Sequence, residues 1–263
     1  MAANDQEALK AIRRQILEMV FRAKEGHVPS AFSILEILYV LYKSALRYDA
    51  QNPKWEGRDR FVLSKGHAGA GLYAILAEFG FFKREILNTY CQPGSILGGH
   101  PDSKKVPGVE VSTGSLGHGI AVGAGMAAAL NLSKSEAKVV CLVGDGEMDE
   151  GSFWETVMFA RNANLNNLVV IADCNRSQKY SHGFNYAKIL NSFGWDSTEV
   201  EGHNIEALTS LLVPAVREKR QNPLFITAHT TKGYGVQRFI GEHGWHRRTP
   251  TQAELDELFL ELA

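Results

Sequence analysis

Cysteine is scarce in this chain of 263 residues. Cys91, Cys141 and Cys174 are widely spaced and form no CxxC pair. That excludes a disulfide framework and a thiolate zinc site, and it fits a reducing compartment. Neither sign of charge is in excess: 28 Lys plus Arg face 29 Asp plus Glu, a net charge of −1. A footprint for nucleic acid or an anionic membrane is therefore absent. Long hydrophobic runs are missing too. The longest candidate, Ile34 to Leu46, is interrupted by Glu36 and Lys43, so no transmembrane helix is expected. Met1-Ala2-Ala3-Asn4-Asp5 lacks the charged-then-apolar layout of a signal peptide. There is no repeat, low-complexity tract or Gly/Ser linker, and no GxxxxGK[ST] phosphate loop. These absences predict one soluble, cytoplasmic domain spanning 1–263.

The patterning predicts alternating strands and helices. Leu9, Ile12, Ile16, Met19 and Val20 recur every three or four residues, which predicts a helix over Gln6 to Lys24. Further helices are predicted over Ser33 to Ser44, Gly69 to Phe79, Gly151 to Asn162 and Ile205 to Lys219, with a short tail helix from Gln252 to Leu262. Ile120 to Leu130, nearly all small or apolar, predicts a buried helix that lets its neighbours approach closely. Apolar runs at 60–64, 138–143, 168–172 and 223–228 predict buried strands. Residues 88 to 118, rich in Gly and Pro, predict a long irregular stretch, and such stretches are usually functional or disordered. The strand–helix–strand unit at 138–172 implies parallel neighbours, whose two faces must be covered by helices. The expected fold is a doubly wound, mostly parallel α/β domain.

Sheets of this kind bind ligands at the carboxyl ends of their strands. Asp145 follows one predicted strand; Asp173, Asn175 and Ser177 follow the next. A carboxylate, an amide oxygen and a backbone carbonyl make a hard oxygen site suited to Mg²⁺ or Ca²⁺. Gly146 would leave room for a diphosphate beside the backbone, and the following helix N-terminus would favour the anion. Gly144-Asp145-Gly146 alone is more often a tight turn. Asn175 at the end of the next strand reverses that preference. Gly123-Ala-Gly125-Met-Ala-Ala128 fits a dinucleotide fingerprint only formally, because it lies inside the small-residue helix.

His27, His67, His100 and His118 each follow a glycine on a predicted loop. His243-Gly-Trp-His246 adds a fifth setting. A histidine near pKa ~6.5 can donate or accept a proton at neutral pH. Each singly could equally be a polar loop residue, and His243-x-x-His246 lacks the Glu of a zincin pair. Glu150 and Glu155 flank the start of the helix after Asp145, where acidic residues complement the dipole. That explanation suits Glu150 better than Glu155.

Together these residues resemble the transketolase family. The similarity runs in order through Gly26-His27, Arg58-Asp-Arg-Phe-Val-Leu-Ser-Lys-Gly-His67, Gly99-His-Pro101 and Pro107-Gly-Val-Glu-Val-Ser-Thr-Gly-Ser-Leu-Gly117. It continues through the thiamine diphosphate motif, Gly144-Asp145-Gly146 to Asn175, and ends in Thr231-Lys-Gly-Tyr-Gly235 and Trp245-His246. The resemblance implies two-carbon ketol transfer by a thiamine diphosphate enzyme. It implies Asp145, Asn175 and the Ser177 carbonyl as ligands of Mg²⁺ (or Ca²⁺ or Mn²⁺), and Gly146 as a backbone contact to the diphosphate. Gly114, Ser115 and Leu116 would lie under the pyrimidine and thiazolium region. His67 and His246 would touch the diphosphate, with His246 also facing the reacting centre. His27 and His100 would join the histidines around the sugar's first hydroxyls. Glu150 and Glu155 would sit at a dimer interface linking two active sites.

Two positions depart from the family's pattern. Arg247 stands where many members have Gly, and His118 where many have Gln. Complete members continue into a pyrimidine-binding domain and a third domain, whereas this sequence ends at Ala263. The resemblance thus implies the N-terminal subunit of a split transketolase. Its partner would be a C-terminal subunit carrying the pyrimidine-binding domain, in a heterotetramer with two copies of each chain, acting on sugars or sugar phosphates. Two rival readings share the motif: the diphosphate-binding subunit of a 2-oxo acid decarboxylating complex, and a non-catalytic cofactor-binding partner.

Overall fold

A computed structural model describes residues 3–175 and 184–262 of the chain. Its centre is a five-stranded sheet: β1 (Arg60–Leu63), β2 (Val139–Gly144), β3 (Leu168–Cys174), β4 (Asp196–Glu201) and β5 (Leu224–His229). The spatial order is β1-β2-β3-β5-β4, and all four pairings are parallel. Alternate strand residues serve opposite faces. Val140, Leu142, Val169 and Ile171 enter one apolar layer, and Val139, Cys141, Val143 and Val170 the other. Every residue of β2 is buried, and each such Val or Leu contributes about 1.5–3 kcal/mol through burial.

The first layer is packed by α1 (Ala3–Ala23), α2 (Val28–Phe32), α3 (Leu35–Val40), α4 (Gly69–Glu78), α8 (Ile205–Arg217) and α9 (Gln252–Glu261). The second holds α5 (His118–Leu132), α6 (Gly151–Asn162) and α7 (Tyr186–Ser192). This is the α/β architecture expected, with helices on both faces. Residues 90–117 carry no α-helix or strand, also as expected. Among the described residues no helix is long and apolar enough to cross a membrane.

Four local differences have physical causes. The helix expected from Ser33 begins earlier, because Pro29 sits in the first turn of α2, where its fixed φ suits a helix start. It is then interrupted at Ser33–Ile34, where the Ser33 hydroxyl reaches across the fold to Asp173 at 2.8 Å, and it ends in a π turn at Leu41–Ala45. α5 is buried on one side only. Its inner face meets the sheet so closely that a Cβ at Gly123 would lie 2.3 Å from Cys141 Sγ. Val122, Gly125 and Leu132 are exposed on its outer face. β4 was not expected: Asp-Ser-Thr-Glu-Val-Glu is a polar edge strand with only Val200 buried, so it shows no apolar run. Finally, a 3-10 turn, Gly146–Asp149, precedes α6, so the first N–H groups of that helix lie beyond Glu150 and not directly after Asp145.

Candidate active site

The parallel register brings the ends of β2 and β3 side by side, with Gly144 opposite Asp173. The Asp145 backbone N–H donates to the Asp173 carbonyl at 3.2 Å, and Asp145 Oδ1 accepts from Gly146 N at 2.8 Å. Asp145 and Asn175 are both buried. Asn175 Nδ2 donates to Asp173 Oδ2 at 2.7 Å. Because the amide is planar, this bond turns Asn175 Oδ1 away from Asp173. A neighbour holding a ligand's other atom is the usual way a metal ligand is oriented. Ser177 lies outside the described residues. Among the described residues no three His, Cys, Asp or Glu side chains are arranged to hold a metal. Among the described residues the candidate donors for an ion are therefore the Asp145 carboxylate and the Asn175 amide oxygen, a donor set that fits a hard divalent cation.

Asp173 is fully buried and accepts from Ser33, Thr230, Asn175 and Lys65, whose Nζ is 2.5 Å away. Burial opposes its charge, but the Lys65 ammonium and these hydrogen bonds hold the carboxyl below its ordinary range. The pair is dry on both sides. Asp173→Asn would strand the Lys65 charge, and breaking a buried pair in this way costs about 3–5 kcal/mol. Urea unfolding is expected to show that loss; an unchanged midpoint would contradict the pairing.

The open face beside Asp145 fits a diphosphate. A Cβ built on Gly146 would meet nothing within 4 Å, so the backbone there faces open space. A cleft of about 720 Å³ extends along the ends of β3 and β5, with Asn175, Thr231 and Lys232 in its wall. Burial lowers the Lys232 pKa and Lys65 adds to this, while Asp145 and Asp173 favour its charged form. Lys232 Nζ lies 2.9 Å from His246 Nδ1. An ammonium only donates, so Nδ1 of His246 accepts and its proton resides on Nε2.

The fold gathers the histidines from distant loops. His27 precedes α2, His67 follows β1 in the turn Gly66–Ala68, and His246 follows Trp245. Their rings lie 5.4 Å (His27–His67), 5.3 Å (His27–His246) and 6.1 Å (His67–His246) apart. His100 packs against Gly114, where a Cβ would lie 3.0 Å from His100 Cδ2. Burial, then His246 and His100, lowers the His27 pKa to about 4. Burial, then Lys65 and His27, lowers that of His67 to about 2. Both rings are neutral at pH ~7, each with one N–H donor and one acceptor.

Gly114, Ser115 and Leu116 form the loop into α5. It lies against the 65–67 turn: a Cβ on Gly66 would come within 2.8 Å of Gly114 N. Gly117 caps α5 at φ 79°, a left-handed conformation, and a Cβ there would sit 2.2 Å from Ser152 Oγ. Glu147, which no sequence motif singles out, binds this loop to the sheet. Its carboxylate accepts from Gly117 N at 2.8 Å, Gly144 N at 3.1 Å and the Ser64 hydroxyl. Burial raises its pKa in spite of these bonds.

His118 folds back on its own loop, with Nδ1 3.2 Å from Ser115 Oγ and 3.1 Å from the Leu116 carbonyl. It thus braces the loop. Arg247 pairs with Glu25 at 3.2 Å on the surface. Glu150 and Glu155 do not enter the histidine group; both are exposed at the start of α6. Lys65 and Lys232 also gain their roles only in the folded site, and Asp173, read from the sequence with the strand-end oxygen donors, is instead the buried partner of Lys65.

The family described as "Transketolase, thiamine diphosphate binding domain" matches residues 4–259. The chain is 40% identical to an apulose-4-phosphate transketolase subunit of Phocaeicola vulgatus, over 95% of this chain and 91% of that protein. It is 36% identical to the 6-deoxy-6-sulfo-D-fructose transketolase subunit SqwG of Clostridium sp. (strain MSTE9), over 94% of this chain and 92% of that one. A crystal structure of a transketolase mutant from Pichia stipitis superposes with TM-score 0.88 and 30% identity. It covers all of this chain, which spans 41% of that longer one. The chain belongs to the transketolase family, matching its thiamine diphosphate-binding domain over residues 4–259.

Proposed function

We propose that the chain is the diphosphate-binding subunit of a split transketolase, transferring a two-carbon ketol unit from an anionic ketose to an aldose acceptor. The observation that carries this is the convergence of His27, His67 and His246, with His246 joined to Lys232, which shares a cleft wall with Asn175. The similar proteins support the anionic donor: one is named for apulose-4-phosphate and the other for a sulfo-fructose. Both names also carry the word subunit, which supports a partner chain. In this reading the partner brings the pyrimidine-binding domain, and the assembly is a cytoplasmic heterotetramer with two copies of each chain.

Asp145, Asn175 and the Ser177 carbonyl would hold Mg²⁺, and Gly146, Lys232 and His67 would hold the diphosphate. Gly114, Ser115 and Leu116 would support the rings from below. Bound thiamine diphosphate supplies the carbon nucleophile and the electron sink. The chain's own work is positioning and proton traffic. His27 and His100 would accept and donate protons at the sugar's first hydroxyls, as imidazoles can. His246 would present its Nε2–H to the reacting centre, held in that tautomer by Lys232. A 2-oxo acid substrate has no such row of hydroxyls to engage, so the four histidines favour ketol transfer over the decarboxylating alternative.

The half-buried histidines make stability depend on pH. Unfolded, each takes up a proton near 6.5; folded, His27 resists until about 4 and His67 until about 2. The unfolded state therefore binds more protons between those values, and stability falls as pH drops below ~6.5. Unfolding midpoints are expected to be lower at about pH 5 than at about pH 7, and His67→Gln to flatten the difference. A flat wild-type profile would contradict this. The functional reading itself is tested by assaying the chain, co-purified with its genomically adjacent pyrimidine-domain subunit, against a panel of phosphorylated and sulfonated ketoses. Ketol transfer from none of them would reject it.

A further inference from the structure

A buried ion network ties three distant parts of the chain to one loop. Arg13 of α1 and Glu36 of α3 are 4% and 2% exposed, and their side chains pair at 2.5 Å. His203, in the turn between β4 and α8, places Nδ1 3.0 Å from the other Glu36 oxygen. Burial opposes the charge on Glu36, but Arg13 and then His203 hold its carboxyl below the ordinary range. On the far side of the ring, His203 Nε2 lies 2.7 Å from Thr231 N. A backbone N–H only donates, so Nε2 accepts, and the ring proton resides on Nδ1 and is donated to Glu36.

The network ends on both sides of Lys232. Thr231, just before it, is held by His203. Tyr234, two residues after it, has its carbonyl bonded by Arg13 Nε at 3.0 Å. The Tyr234 ring also lies flat on His203, with centroids 3.6 Å apart and planes 10° apart. Gly233 N–H donates to the Pro29 carbonyl at 3.0 Å. The loop needs these outside supports. Gly233 and Gly235 have left-handed φ of 79° and 95°, and glycine restricts the backbone least. A Cβ would lie 2.3 Å from Phe239 Cβ at Gly233 and 2.6 Å from Arg13 Nε at Gly235. A buried ion pair is a poor source of stability, since apolar side chains of similar volume often do as well. Positioning is the use it serves better, because it fixes one geometry for the residue between its two ends.

We propose that His203 is a positioning residue for the diphosphate site: through the Thr231 N–H it holds Lys232 against His246. The inference rests on the thiamine diphosphate reading for the identity of the ligand, whereas the placement of Lys232 rests on the hydrogen bonds alone. Lys232 Nζ lies 2.9 Å from His246 Nδ1. One support therefore fixes both the cation offered to a diphosphate and the tautomer of His246.

The test has two arms, and the first needs no cofactor. Nitrogen-15 spectra of the histidine-labelled full chain at about pH 8, where an ordinary imidazole is neutral, show which ring nitrogen of His246 carries the proton. His246→Gln assigns the signal. The wild type should hold the proton on Nε2. In His203→Asn the amide takes the place of Nδ1, keeps a donor for Glu36 and falls short of Thr231, so His246 should become a mixture of tautomers. His203→Gln reaches Thr231 with its amide oxygen and should restore the wild-type signal. Arg13→Lys keeps a charge for Glu36 but loses the bond to Tyr234, and should also give the mixture. It replaces the Asn variant if melting curves show that one unfolded. The second arm measures the affinity of the chain, in complex with its partner subunit, for thiamine diphosphate with Mg²⁺. His203→Asn should weaken it about tenfold, and His203→Gln should not. A wild-type His246 signal in the folded variants, or cofactor affinity unaltered by His203→Asn, would overturn the proposal. No cofactor binding by the wild type would instead reject the thiamine diphosphate reading, and the first arm would still decide the placement of Lys232.

Discussion

Asp145→Ala is expected to abolish metal-dependent binding of thiamine diphosphate while leaving the chain folded. The carboxylate stands where β2 ends, next to the end of β3 that positions Asn175. Even partners that merely orient a metal's ligands are worth 10–100-fold in affinity. Loss of a charged ligand should therefore cost at least about a hundredfold. Folding should be little affected, because the two core layers lie along the strands and Asp145 sits beyond their ends. Two readouts keep the result interpretable. Cofactor with Mg²⁺ should raise the wild-type melting temperature, as any ligand of the native state does, and should not raise that of the variant. Circular dichroism should match. Undiminished cofactor affinity would remove Asp145 from the site.

The isolated chain, supplied with thiamine diphosphate and Mg²⁺, is expected to be inactive, and activity to appear on adding the pyrimidine-domain subunit. A cofactor held only through its diphosphate leaves its reactive ring poorly positioned, and positioning can supply about 7–11 kcal/mol of a barrier. The surface is prepared for a partner. Val122 and Leu132 on α5 are 44% and 86% exposed, and Met158 and Phe159 on α6 are 53% and 49% exposed. Glu155 stands one turn before Met158 on the same face. Exposed large apolar side chains on these two helices offer a surface for association. Met158→Glu should block both association and activity. Robust turnover by the chain alone would contradict the split-enzyme account.

The sheet was largely legible because β1, β2, β3 and β5 are buried on both faces and read as continuous apolar runs. β4 was invisible for the converse reason: an edge strand buries little, and here only Val200. Asp145 and Asn175 were legible as candidate ion ligands because they sit at strand ends, where spacing in sequence becomes proximity in space. The histidines were legible as candidates, but their grouping came from loops as far apart as His27 and His246. Glu147 was not legible. Its role depends on Ser64, Gly117 and Gly144 meeting at one carboxylate, which no local pattern announces. The depressed pKa values of His27 and His67 were equally hidden, since burial causes them first and burial belongs to the tertiary fold.

The most direct measurement follows carbon. The chain and its partner subunit, with thiamine diphosphate and Mg²⁺, are incubated with an anionic ketose carrying carbon-13 at its first two carbons and with an unlabelled aldose. Ketol transfer places both labelled carbons, still bonded to each other, at the head of the new ketose, and their mutual coupling survives in its spectrum. Label that stays in the donor throughout, or that leaves as carbon dioxide, would contradict the account.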